Sequence, residues 1–283
     1  MLASVQAAPT KGKTPEIIWD GRVPYPMSLS DFDSYNTSRY DAEFVLGARQ
    51  KFSKILKFPR VMGSIFDLST NSKPVEVTIN DKSIFAPGGN PQHGFRRSEL
   101  LPITNNGTDA TVQGVTTFHF SMRPDMARPL NMSHQYELVF IETNDFSSHV
   151  WTIKAGTPFG SSMHHSPEAE YLRLESSTAG GKAGKTLFQV PWLTSKWHNF
   201  AITTDWVNNK LTAYYSCGYE PLRKVVKTIA NDATGKGQAH IGVLKLPTNS
   251  TDPTHNGYQQ RKLNEGVIYG GVFVEKGAAS ICI

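Results

Sequence analysis

From about residue 75 onward the sequence breaks into short apolar runs, each stopped by a cluster of turn formers. That rhythm restricts the chain to an all-β fold. Val75-Glu76-Val77-Thr78-Ile79 alternates and ends at Asn80-Asp81. In Thr116-Thr117-Phe118-His119-Phe120-Ser121-Met122 the period of two puts Phe118 and Phe120 on one face and His119 on the other. Further strands are predicted at 136–142, 149–154, 171–174, 198–203, 211–216, 222–227, 240–245 and 267–274. No helical segments alternate with them, so the expected architecture is a sandwich, a jelly roll or a barrel. Helical periodicity is present only at 42–56, where one short helix is predicted. The first 70 residues read as one strand plus long loops wrapping the same domain.

Composition agrees with this. The 283 residues include 23 Gly and 17 Pro, with 11% aromatic and 19% charged residues. The mix is too apolar and aromatic for a disordered chain. No repeat or Pro/Ser-rich linker divides it, so a single catalytic-size domain is expected over 16–283. The net charge of +5 is spread without any run of five like charges, which reads as solvated surface and not as a nucleic-acid footprint. Apolar stretches such as Val267-Ile268-Tyr269-Gly270-Gly271-Val272-Phe273-Val274 are far shorter than the ~20 residues of a membrane helix. Cys217 and Cys282 could form one bridge or remain two separate thiols.

Two features bear on compartment. Val5-Gln6-Ala7, followed by Ala8-Pro9, fits the small-residue end of a secretory leader, and residues 1–15 read as its remnant. Asn-x-Ser/Thr acceptors for N-glycosylation occur at Asn36, Asn106, Asn131 and Asn249, each in a polar, turn-like stretch. Together they predict a secreted, extracellular glycoprotein.

The densest polar cluster is Gln92-His93-Gly94-Phe95-Arg96-Arg97-Ser98-Glu99-Leu100-Leu101-Pro102. On a strand, Arg97 and Glu99 share one face while Ser98 and Leu100 share the other. The pair reads either as a structural ion pair or as part of a polar cleft. In Tyr136-Glu137-Leu138-Val139-Phe140-Ile141-Glu142-Thr143, alternation groups Glu142 with Tyr136, Leu138 and Phe140, and Glu137 with Val139 and Ile141. Each face carries one acid, so periodicity does not choose between them. His240 shares a face with Gly242 and Leu244, and a glycine inside a strand leaves room for a ligand. A hydrogen-bonded sheet histidine is the alternative, and His198 reads as structural. His164 and His165 are adjacent and cannot both face one site on a strand. No Cys-x-x-Cys, His-Glu-x-x-His, phosphate loop or Gly-x-Ser-x-Gly elbow is present, so no metal, no cofactor, no nucleotide and no serine nucleophile are expected.

Several motifs resemble glycoside hydrolase family 131, fungal β-glucanases. They are Ile17-Ile18-Trp19-Asp20-Gly21-Arg22-Val23-Pro24, Lys51-Phe52-Ser53-Lys54-Ile55-Leu56-Lys57-Phe58-Pro59 and Ser83-Ile84-Phe85-Ala86-Pro87-Gly88-Gly89. Phe95-Arg96-Arg97-Ser98-Glu99-Leu100-Leu101-Pro102 resembles the family's central motif. The likeness continues through Gly242-Val243-Leu244-Lys245-Leu246-Pro247 and Glu265-Gly266-Val267-Ile268-Tyr269-Gly270-Gly271, and so covers roughly residues 16–275. The resemblance implies a β-jelly-roll sandwich of two antiparallel sheets with an open cleft on its concave face. It implies secretion and action on β-glucan polysaccharides or oligosaccharides: exo-cleavage of β-1,3 and β-1,6 linkages and endo-cleavage of β-1,4 chains. It places one catalytic acid on Glu99, a second on Glu142, and a cleft histidine on His240.

Glycoside hydrolysis needs one protonated carboxyl and one ionised carboxylate. Arg97 beside Glu99 favours the ionised form, so Glu99 is expected as base and Glu142 as acid, with His240 orienting water or sugar. Arg97, Trp151 and Tyr269 are expected to bind substrate, the aromatics by stacking or else as core residues. Carboxylates on separate strands of a broad cleft predict inversion. The protein is expected to act as a monomer, with no membrane or nucleic-acid partner. Two rivals remain open at this level. A jelly-roll polysaccharide lyase would use Arg97 to neutralise a uronate, and a glucan-binding lectin would release no sugar.

Overall fold

The computed structural model describes residues 16–104, 106–192 and 195–279. Residues 1–15 and Cys282 lie outside them, so the expected leader remnant and the pairing of Cys217 do too. The described residues form β1 (Ile17–Asp20), β2 (Val23–Pro24), β3 (Leu56–Lys57), β4 (Ser72–Lys73), β5 (Val75–Asn80), β6 (Arg96–Leu100), β7 (Val115–Pro124) and β8 (Gln135–Glu142). They continue with β9 (His149–Gly156), β10 (Tyr171–Glu175), β11 (Thr186–Pro191), β12 (His198–Asp205), β13 (Lys210–Cys217), β14 (Arg223–Ala230), β15 (Gln238–Lys245) and β16 (Asn264–Lys276).

Two large antiparallel sheets face each other. One runs β14-β13-β12-β7-β16-β5-β3 with β1 added to β16, and the other runs β11-β10-β9-β8-β15-β6. A small ribbon pairs β2 with β4. The main core lies between the two sheets. Phe118, Phe120, Met122, Phe200, Ile202 and Val267 of the first sheet pack there with Leu138, Val139, Ile141, Ile153, Ile241 and Val243 of the second. The predicted all-β jelly-roll sandwich is therefore the fold, and every strand predicted from alternation is present. The strand β11 was not foreseen, since Thr186-Leu187-Phe188-Gln189-Val190-Pro191 is exposed along much of its length and carries no clean alternation.

The predicted helix at 42–56 shrinks to a single turn at Phe52–Ile55. Packing overrides the helical period here. The Val45 carbonyl accepts the Glu99 N–H at 2.9 Å, and the Ser83 carbonyl accepts that of Arg97 at 2.8 Å. This segment and the loop after β5 thus cover the open edge of β6, where unpaired N–H groups would otherwise remain. Gly47 passes so close to the Lys82 carbonyl oxygen that an added Cβ would lie 1.9 Å from it.

The six-stranded sheet departs from regular pairing at three points, and these decide which side chains face outward. Glu137 pairs with Lys154 while Val139 pairs with Ile153, so β8 holds one extra residue. Leu138 and Val139 consequently both face the core. Ile141 pairs with Trp151 while Glu142 pairs with His149, so β9 holds the second extra residue, and Val150 and Trp151 both turn inward. A third shift lies in β15 between Ile241 and Leu244. Bulges of this kind re-aim side chains beside active sites.

Tyr269 of β16 stands beneath two of these irregularities. Its hydroxyl donates to the Gly242 carbonyl at 2.6 Å and lies 3.1 Å from that of Leu138. It is fully buried, so it supports the bulged backbone and cannot stack on a sugar. Trp151, 1% exposed, lies in the core with its ring parallel to that of Phe120 at 6.3 Å. Both expected substrate aromatics are core residues, because the bulge in β9 turns Trp151 inward and Tyr269 belongs to the opposite sheet.

Replacing Tyr269 by Phe removes the donor while keeping the ring. The expected result is a loss of about 1–3 kcal/mol for the unsatisfied buried carbonyl, together with reduced activity as the bulges relax. Urea denaturation and sugar release, measured on one preparation, check it. A variant with unchanged stability would show that the hydroxyl does not hold the bulges.

Candidate active site

The outward face of the six-stranded sheet begins at β6, where alternation sends Arg97 and Glu99 outward and Ser98 and Leu100 toward the core. Glu99 is fully buried on that face. Its carboxylate takes a two-point bond from Arg97, Nε to Oε1 and Nη2 to Oε2, both at 2.7 Å. His240 Nδ1–H donates to Oε2 at 2.6 Å. Burial alone would raise the Glu99 pKa, but the Arg97 charge and the bonds from His240 and Arg97 bring it down to about 2. Arg97 is 6% exposed and is committed to Glu99, with Gln92 Oε1 at 3.4 Å from Nη1. It positions an acid and is not free to bind substrate.

Gly242 pairs with Glu99 across β6 and β15. A Cβ there would lie 2.2 Å from the Ser98 carbonyl oxygen and 2.6 Å from the Glu99 Cα. The room that glycine leaves is thus filled by the Glu99 strand itself and not by a ligand.

His240 bridges two acids. Its Nε2 lies 3.3 Å from Glu142 Oε2, but off the hydrogen-bonding direction, so Nε2 has no hydrogen-bond partner among the described residues. The ring stacks on Phe140 at 4.5 Å with planes 10° apart. Burial disfavours the imidazolium, yet the Glu142 carboxylate 3.3 Å away and the bond and charge of Glu99 outweigh it and raise the His240 pKa above 6.5. Glu142 keeps a 20% exposed side chain, the most open of the three. Burial would raise its pKa, and His240 and Arg97 lower it.

The bulge in β8 corrects the alternation read from sequence. Glu137 and Glu142 do not lie on opposite faces. With Leu138 and Val139 both inward, Glu137, Phe140 and Glu142 all point outward. The second bulge turns His149 outward beside them. A second charged group results, which strict alternation missed. His149 Nδ1 and Lys154 Nζ each lie 3.5 Å from Glu137, and Lys154 reaches Glu175 at 2.9 Å. Arg173 stands 3.7 Å from Glu175. The one sequence signal for this arrangement is the apolar doublet Leu138-Val139, which breaks the period of two. Beneath the polar groups, Phe140, Leu244 and Leu246 form an apolar floor with Phe95 and Phe159. A hollow of about 370 Å³ opens at the Gln135 end of β8, lined by Ser133, Thr157, Phe159, His164, Asn249 and Ser250 among others.

Of the glycosylation acceptors, Asn36, Asn106 and Asn249 are exposed. Asn131 differs, because its side-chain nitrogen donates to Gln260 at 2.7 Å in a network that includes buried Lys245 and Glu265. A glycan there would leave only one N–H for this contact, and Asn131 is the least exposed of the four acceptors.

A two-sheet β-sandwich that lines one outward face with acids, a bridging histidine and an apolar floor has the make-up of a carbohydrate-active enzyme. The model of the glycoside hydrolase 131 catalytic N-terminal domain matches residues 17–280. The chain belongs to that family and is a glycoside hydrolase. Its fold is similar to the crystal structure of a GH131 β-glucanase catalytic domain from Podospora anserina, with a TM-score of 0.72, 24% identity, and 93% and 97% of the two chains covered. It is also similar to the GH131 catalytic domain from Coprinopsis cinerea, with a TM-score of 0.70, 20% identity, and 95% and 98% covered. A comparison with curated protein sequences finds no match.

The charge state of the triad is directly measurable. His240 should titrate above the ordinary 6.5, because two carboxylates flank it. A raised pKa means that its charge stabilises the fold below 6.5 and that this contribution is lost as pH rises through the raised value. Replacing Glu142 by Gln should shift the His240 midpoint downward in an NMR titration of the ring protons. An unchanged midpoint would show that Glu142 does not act on the ring.

Proposed function

We propose that the protein is a secreted, monomeric, inverting β-glucanase whose proton transfers run through Glu142 and His240. The substrates are β-1,3- and β-1,6-glucans, attacked from chain ends, and β-1,4-glucans, cut internally. N-glycans are carried at Asn36, Asn106 and Asn249. The observation that carries the mechanism is the chain of contacts Glu99–His240–Glu142, open to solvent only at the Glu142 end.

Glu99 has no exposed surface, and both its oxygens accept donors. We therefore assign it the task of holding His240 in place of the expected direct contact with water. At rest the proton of the site lies on His240, between two carboxylates. On sugar binding it passes from Nε2 to Glu142. That single transfer makes Glu142 the acid and His240 the base. Water then attacks the anomeric carbon and gives its proton to Nε2. The carbon–oxygen bond breaks, and Glu142 protonates the leaving oxygen. The enzyme ends as it began, with His240 charged and Glu142 ionised. Acid and base stand 3.3 Å apart in the free site, so inversion requires the Glu142 side chain, the most exposed of the three, to turn away from His240 as the sugar enters and open the ~6.5–9.5 Å gap of inverting enzymes.

Charge balance supports a neutral glucan over a uronate. Arg97 is paired with Glu99, Lys154 with Glu175, and Arg173 stands beside the same Glu175. A lyase needs a cation free to neutralise a carboxylate, and each of these already has an acid.

Glu142→Gln and His240→Ala should each lower kcat by about 10²–10⁴ while the protein stays folded. Proton NMR of the first product from a laminarin oligosaccharide should show the α-anomer. An initial β-anomer would overturn inversion, and activity above about one per cent in Glu142→Gln would remove Glu142 as the acid.

A further inference from the structure

The connection from β8 to β9, residues 143–148, begins directly after Glu142. It is tightly built. Phe146 N–H donates to the Thr143 carbonyl at 2.8 Å, and Thr143 N–H to that of Ser148 at 2.8 Å. The Asp145 carboxylate accepts from Thr143 Oγ1 at 2.7 Å and from Ser147 Oγ at 2.8 Å. Asn144 N–H donates to the Gly235 carbonyl at 3.1 Å, tying the tip to a neighbouring loop.

Phe146 closes this turn with a φ of 58°. A turn ending in a left-handed residue ordinarily takes Gly or Asn there, because a Cβ crowds the following carbonyl. Among the described residues, Arg49, Asn209, Lys236, Asn249 and Lys262 also hold positive φ, and all five are polar or charged. Phe146 is the aromatic exception, and a bulky residue in this region is strained. Core packing does not compensate, since the residue is 62% exposed. Two independent penalties, strain and an exposed ring, therefore meet a few residues from the most solvent-accessible acid of the site. Strain kept at such a place points to a use.

We propose that Phe146 is a substrate-binding residue that stacks on a glucosyl unit neighbouring the one attacked at Glu142. A β-linked glucose carries its hydroxyls equatorially, which leaves a face of axial C–H bonds. An aromatic ring offers that face apolar area and a negative quadrupole. The turn fixes the backbone that carries the ring before binding, so only side-chain rotation is lost when the sugar arrives. The inference rests on the β-glucanase reading above and names a residue that the reading does not require.

The test exploits the opposite signs of the two effects. Phe146→Gly relieves the backbone and removes the ring. It should raise the melting temperature by roughly 2–4 °C. It should also raise KM on laminarin or barley glucan roughly tenfold with kcat little changed, as for lost uniform binding. Phe146→Trp should keep KM near that of wild type. Affinity electrophoresis in gels containing the same glucans measures binding apart from turnover. A more stable Phe146→Gly with unchanged KM and mobility overturns the proposal, and so does a Phe146→Gly that melts lower. Wild-type protein that neither binds nor cleaves these glucans overturns the parent reading along with it.

Discussion

The buried carboxylate of Glu99 is the fixed point of this molecule. A fully buried acid without partners would take up a proton or disrupt the strand, since removing one side of a buried pair costs about 3–5 kcal/mol. Here Arg97 supplies two bonds from the same strand face and His240 a third from the next strand. The bond from His240 in turn fixes the ring so that Nε2 faces Glu142. Even the edge of β6 is closed by the carbonyls of Val45 and Ser83, so the strand bearing this charge cannot fray toward water. The loops that replace the expected helix at 42–56 have their physical reason in this requirement.

Holding the acid is one task, and assembling its partners on the same face is another. A regular β8 would divide Glu137 from Glu142, and a regular β9 would turn His149 away. Two extra residues, one in each strand, bring them together at the cost of unpaired backbone groups. Tyr269 from the opposing sheet meets that cost by bonding to the carbonyl of Gly242 and approaching that of Leu138. The core aromatic and the surface chemistry are thus one construction.

This explains what the sequence could and could not reveal. The strands were legible because turn clusters end them, and Arg97 with Glu99 was legible because β6 is regular. Glu142 and His240 came from family resemblance, and the geometry joins both to Glu99. That Glu137 and His149 share this face was not legible, because a bulge defeats any argument from a period of two. Trp151 and Tyr269 were misplaced for a related reason: a large aromatic in a strand reads the same whether it faces a cleft or a core. The choice was made by the irregular register in one case and by the opposite sheet in the other.

The same local physics separates two histidines that look alike in sequence. His240 and His149 pack on one phenyl ring, that of Phe140, at 4.5 and 4.6 Å. His240 is buried and His149 half-buried, and loss of solvent disfavours charge on each. His240 has carboxylate oxygens at 2.6 and 3.3 Å, and its pKa rises. The carboxylate contact of His149 is longer, 3.5 Å to a Glu137 that Lys154 also approaches, and its pKa falls. Two carboxylate contacts, one of them a 2.6 Å hydrogen bond, favour the charged form of one ring, while a single longer contact leaves burial to favour the neutral form of the other. Coulomb attraction in a dry site is steep enough for that difference to decide, whereas in bulk water it would be lost. On the proposed reading, a His149 whose charge is disfavoured adds hydrogen-bonding capacity beside Glu142 without adding positive charge, which suits a wall that meets uncharged sugars.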